Sequence, residues 1–85
     1  MNTFKLSNIP VSDFRLFLFE MGCKRMRISG GHELWAKEGL SRPVVIQSHV
    51  DPVPEFIIRN ILRDMHLTRK DFIDWLRLKR CNKKV

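Results

Sequence analysis

Apolar residues recur along this chain with two periods, and the switch between them outlines the fold. Phe14, Phe17, Leu18 and Met21 follow the i, i+3, i+4, i+7 spacing of one helical face. Pro10 is a helix-start residue, Ser12 and Asp13 are candidate caps, and Gly22 is a stop signal, so a helix is expected over 10–21. From 23 to 29 the period becomes two, which predicts a half-buried strand. Gly30-Gly31 tolerates positive φ at both positions and closes a two-residue hairpin onto a return strand over 32–37. After a loop through Pro43, the β-branched run Val44 to Gln47 reads as a third strand. Pro54 opens a second helix with Ile58, Ile61, Leu62 and Met65 as its buried stripe. His66 and Leu67 end it. Thr68 and Asp71 then form a capping-box pattern before a last helix from Arg69 to about Arg77, with Phe72 and Leu76 inward. The order is helix, three antiparallel strands, helix, extra C-terminal helix. This is an α+β two-layer sandwich with helices on one sheet face and the other face open.

The hairpin turn fixes a register. Ser29 is expected to pair with His32, Arg27 with Leu34, Met26 with Trp35, and Arg25 with Ala36. Met26, Ile28 and Trp35 then form the core face, with Trp35 bringing the most apolar area. Arg25, Arg27, Ser29, His32, Leu34 and Ala36 face outward, and Gln47 and His49 join them if Val44 and Ile46 face the core.

Length and charge narrow the function. The 85 residues are enough for one domain, 1–85, and 44% apolar content makes it globular. A domain of this size holds roughly 4–13 kcal/mol of stability and has no volume for a deep cofactor cavity. The net charge of +7 makes a polyanion the expected partner. Lys24, Arg25, Arg27, Lys37 and Arg42 outnumber two carboxylates in 23–48, and seven basic residues outnumber two acidic ones in 68–85. The basic end, from about residue 79 to 85, is expected to be a frayed, solvated tail. No apolar run approaches the ~18 residues that span a bilayer, and the N-terminal residues lack the pattern of a signal peptide. Cytoplasm is the expected location, with Cys23 and Cys81 as reduced thiols.

His32 is thus expected on an open sheet face beside arginines. That combination suits RNA cleavage. A histidine near its ordinary pKa can take the 2′-OH proton or protonate the leaving 5′-oxygen, and arginines can hold the phosphate. The substrate supplies the nucleophile, so the reaction calls for no metal or other cofactor. His32-Glu33 does not begin a zinc HExxH motif, because Ala36 stands at the fourth helical partner position of a strand. His49 reads as a loop residue, and Trp35 and Trp75 as core.

Met21-Gly22-Cys23-Lys24, Arg27-Ile28-Ser29-Gly30-Gly31-His32 and Trp35 resemble the HicA mRNA interferase toxins, in which a Gly-ended helix leads to a basic strand, a Gly-Ser-His turn and an aromatic residue. Val53-Pro54 with Ile57-Ile58-Arg59-Asn60-Ile61-Leu62-Arg63 is similar to the family's Pro-led helix, and Leu67-Thr68-Arg69-Lys70-Asp71-Phe72 to the segment after it. The resemblance spans about residues 10–76. It implies a double-stranded-RNA-binding-domain-like fold, metal-independent mRNA cleavage with His32 as the catalytic residue, and neutralisation by a HicB-like antitoxin. Arg25, Arg27, Lys24 and Lys37 become the candidate RNA-binding residues. The chain departs from the family at Gly31, usually Ser, at Phe56, usually Gly, and at Ile57, usually Thr. Ser48-His49 stands near the usual His-Pro. Glu33, where a second histidine is common, is expected to bring negative charge near the bound phosphate. Two non-enzymatic readings stand beside this one: a double-stranded-RNA-binding module, and an inactive toxin homologue that acts only through protein partners.

Overall fold

The first helix, α1 (Val11–Glu20), begins where Pro10 holds an extended backbone and lacks an N–H that would need a partner. A computed structural model describes Leu6 and residues 8 to 82, without the side chains of residues 80 to 82. Ser12 and Asp13 do not cap α1. They already lie inside its first turn, and the Val11 N–H donates instead to Asp51 Oδ1 at 3.0 Å, forty residues away. Phe14, Phe17 and Leu18 are buried as the spacing predicts, and Met21 is half-buried. Gly22 at φ +97° ends the helix, and Cys23 N–H bonds back to the Leu18 carbonyl at 2.9 Å.

The sheet has strands β1 (Lys24–Ser29), β2 (His32–Ala36) and β3 (Val44–Gln47), antiparallel and in chain order. Gly30 and Gly31, at φ +56° and +86°, make the two-residue turn. Ser29 pairs with His32 and Arg27 with Leu34, as expected. The register then shifts at a bulge, so that Arg25 rather than Met26 opposes Trp35, and Lys24 opposes Ala36. A bulge places two residues against one and reverses which way the following residues face. Met26 is therefore not core but 62% exposed. Ile28 opposes Glu33 on the outermost strand and is 54% exposed. All of β1 is exposed, and it forms one edge of the sheet. On β2, Glu33 and Trp35 point into the core, and on β3 Val44 and Ile46 do so.

The second helix, α2 (Glu55–Asp64), follows Pro54 and buries Ile58, Ile61 and Leu62, with Met65 just beyond it. His66 takes φ +60°, and Leu67 N–H returns to the Leu62 carbonyl at 2.8 Å, closing the helix end. The capping box is formed: Thr68 N–H donates to Asp71 Oδ2 at 2.8 Å, and Asp71 N–H to Thr68 Oγ1 at 3.1 Å. These bonds hold the Asp71 carboxyl below its ordinary pKa.

The third helix, α3 (Arg69–Asn82), runs past the expected end at Arg77 and takes in the first residues of the basic end. Glu20 explains the extension. It accepts from Trp75 Nε1 at 2.8 Å and from Lys79 Nζ at 2.7 Å, and the ammonium also stands 5.6 Å from the Trp75 ring. The Lys79 and Trp75 bonds lower the Glu20 pKa. Residues 83 to 85 lie outside the described residues. Trp75 is core, as expected, within an aromatic cluster in which Phe17 meets Phe72 edge-on at 4.7 Å and Trp75 at 5.2 Å. One hydrophobic core joins all three helices to the inner face of β2 and β3, so the domain is a small α+β fold with one sheet face left open.

Candidate functional site

Alternation along β2 turns His32, Leu34 and Ala36 away from the core. His32 begins the strand, exposed, with Ser29 opposite on β1 and Gln47 opposite on β3. Val45, opposite Leu34, continues the same face. The four basic candidates separate. Arg27 opposes Leu34, two residues along β2 from His32, which is roughly 7 Å along the strand. Arg25 opposes Trp35 and borders a shallow groove with Ser12, Leu16 and Phe19 on the α1 side. The bulge has moved it off the face that the regular register assigns to it. Lys24 opposes Ala36, roughly 13 Å along from His32. Lys37 follows the far end of β2, and its Cε packs near Gly22. Arg27 is thus the basic candidate that shares a face and a neighbourhood with His32. Lys24, Arg25 and Arg27 make no salt bridge among the described residues.

His49 comes close to the same turn. A Cβ added at Gly31 would lie 2.9 Å from His49 Nδ1 and 3.2 Å from its Cε1. The space a serine side chain would need at this position is filled by an imidazole. Gly31→Ser therefore meets both an unfavourable φ of +86° and His49. The φ penalty alone is about 1–2 kcal/mol, so the substitution is expected to cost more than that in thermal or denaturant unfolding. In a His49→Ala background the cost should shrink toward the φ penalty alone.

Glu33 departs from expectation. It does not bring charge toward a phosphate on the open face. It is 0% exposed on the core side, because it lies two residues from Trp35 in the period-two alternation. Its carboxylate is fully engaged. Arg15 donates from Nε at 2.9 Å and from an Nη at 2.7 Å, Trp35 Nε1 donates at 3.1 Å, and Ser48 Oγ at 2.6 Å. Burial opposes the charged form, but the bonds from Arg15, Ser48 and Trp35, with the Arg15 charge, outweigh it and bring the pKa to about 2. The Arg15 pKa rises in turn, first through the same bond.

These contacts fix the loop that carries His49. Ser48 N–H donates to the Gly31 carbonyl at 2.7 Å while its hydroxyl holds Glu33. Asp51 caps α1, and Val53 N–H bonds to the Ile9 carbonyl at 2.9 Å. Beside this loop a groove of about 450 Å³ opens between β3 and the start of α2. His32 and Gln47 stand on its wall with Val45, Val50, Pro54 and Phe56. In the sequence Phe56 stands out only as a departure from the HicA pattern. Its position in the first turn of a Pro-led helix, off the Ile58–Ile61 stripe, is the signal that it points outward.

No family model, curated protein or solved structure matches the chain. Among the described residues, no helix is long and apolar enough to cross a membrane.

Proposed function

We propose that the protein is an mRNA-cleaving endoribonuclease, with His32 as its catalytic residue and no need of a metal. The observation that carries this reading is an exposed histidine on the uncovered sheet face, at the wall of a groove, with Arg27 on the same face. The 2′-oxygen attacks the adjacent phosphorus and the bond to the 5′-oxygen breaks. The products are a 2′,3′-cyclic phosphate and a free 5′-hydroxyl. His32 takes the 2′-OH proton while water protonates the leaving 5′-oxygen, or water takes the first proton while His32 delivers the second, and the Arg27 guanidinium neutralises charge on the phosphate. The resemblance to HicA toxins supports the assignment, and the order helix, three antiparallel strands, helix is that of double-stranded-RNA-binding domains. In this reading the chain acts in the cytoplasm and a HicB-like antitoxin covers the His32 face.

The test is incubation of the purified chain with RNA in the presence of a chelator. The expected result is fragments ending in 2′,3′-cyclic phosphate. Intact RNA would overturn the enzyme reading. If the RNA is bound but uncut, a non-catalytic RNA-binding module takes its place. Affinity for uncleavable RNA should fall steeply between ~50 and ~200 mM salt, since phosphate contacts release counterions.

A further inference from the structure

Phe56 is 63% exposed, in the first turn of α2, and has no aromatic partner among the described residues. Exposure alone does not single it out, since Phe19 is 67% exposed, but Phe56 stands at a groove and offers an aromatic face to whatever enters it. It lines the same groove as His32, whose floor is apolar and whose wall includes the Gln47 amide. The carboxylates near this end of the groove are already engaged: Glu55 pairs with Arg59 at 3.3 Å, and Asp51 holds the Val11 N–H. Arg27 on the adjoining sheet face and the overall charge of +7 favour the approach of a phosphate strand, with the exposed Asp51, next to Val50, as an opposing charge.

The geometry points to a nucleobase subsite: the groove takes one unpaired base of the RNA strand, stacked on Phe56 with its edge toward Gln47, next to the phosphate held at His32. This rests on the ribonuclease reading and specifies its substrate as single-stranded RNA. A base inside an A-form duplex is stacked and paired, and cannot turn into a side-chain groove. Stacking on an aromatic ring tolerates any base, so Phe56 supplies affinity and positioning. The Gln47 amide, with one acceptor and two donors, supplies the preference among bases.

The probe is a short single-stranded RNA with a 2′-deoxy substitution at the cleavage position and 2-aminopurine in place of successive bases. Binding should quench the fluorophore at one position. Phe56→Ala should weaken binding roughly 5- to 100-fold and abolish that quench, and Phe56→Tyr should preserve both. An abasic nucleotide at the same position should weaken the wild type by a similar factor and make Phe56→Ala nearly silent, because the two changes remove one contact. Phe56 is exposed, so a thermal melt should confirm that the variants fold. If the wild type cleaves RNA while Phe56→Ala and the abasic substitution have no effect, the subsite is wrong and the ribonuclease reading stands. A polypeptide is then the occupant to test. If the wild type neither binds nor cleaves any RNA, the ribonuclease reading itself fails.

Discussion

His32→Ala is expected to lower RNA cleavage by at least ~100-fold, the usual contribution of one positioned general acid or base. The mutant should still bind uncleavable RNA, since Arg27 and the rest of the basic face remain. It should also melt with the wild type, because His32 is exposed and its side chain makes no hydrogen bond among the described contacts. Three measurements separate the outcomes: cleavage rate, affinity for a 2′-deoxy-blocked oligonucleotide, and melting temperature. In cells, expression of the wild type should arrest growth and fragment mRNA, and His32→Ala should do neither. A mutant that cleaves at the wild-type rate would remove His32 from the chemistry. A mutant that loses cleavage and folding together would leave the two effects inseparable, and His32→Gln, closer in shape, would then be compared.

Glu33→Gln is expected to be the most destabilising conservative change in the domain, by about 3 kcal/mol. The carboxylate is fully buried and accepts from Arg15, Trp35 and Ser48 at once. An amide can keep only part of that pattern, because its NH2 group must face donors. It also leaves Arg15 without its counter-charge, although Arg15 is 32% exposed and recovers some hydration. For a domain of this length the loss corresponds to a fall in melting temperature of roughly 12–24 °C. The same residue contributes to the acid limit, with Glu20 and Asp71, whose carboxyls also lie below their ordinary pKa. Its folded pKa of about 2 lies below the ordinary carboxylate value, so its stabilisation is complete above about pH 5 and is lost as pH falls toward 2. Glu33→Gln should therefore lower stability at pH 7 and flatten the acid limb of the stability curve. An unchanged acid limb in a folded variant would show that Glu33 does not govern it.

Two periodicities made most of the fold legible. Phe14, Phe17 and Leu18 on one helix, and Ile58, Ile61 and Leu62 on another, declare their buried faces through spacing alone. The Gly30-Gly31 turn fixes the first two cross-strand pairs. What spacing could not show was the bulge beyond Arg27, since residues 25 to 29 alternate and no glycine marks the extra residue. The consequence is chemical: the bulge puts Arg25 opposite Trp35 and leaves Arg27 as the β1 arginine on the His32 face. The burial of Glu33 is hidden for a different reason. A carboxylate in the core is unexpected until its partners are known, and Arg15 and Ser48 lie eighteen and fifteen residues away. The position of His49 over Gly31 is also a contact across the sheet that linear spacing does not encode. The cap on α1 is the same kind of case, because its acceptor sits forty residues downstream.

The loop from Ser48 to Val53 is moored at Ser48 to Gly31 and Glu33, at Asp51 to the start of α1, and at Val53 to Ile9. A loop tied to the core at three places cannot loosen by itself. It must open with the sheet and α1 as one cooperative unit. On heating, the histidines and the groove beside them should keep their arrangement until the whole domain melts, so inactivation and global unfolding should follow a single curve.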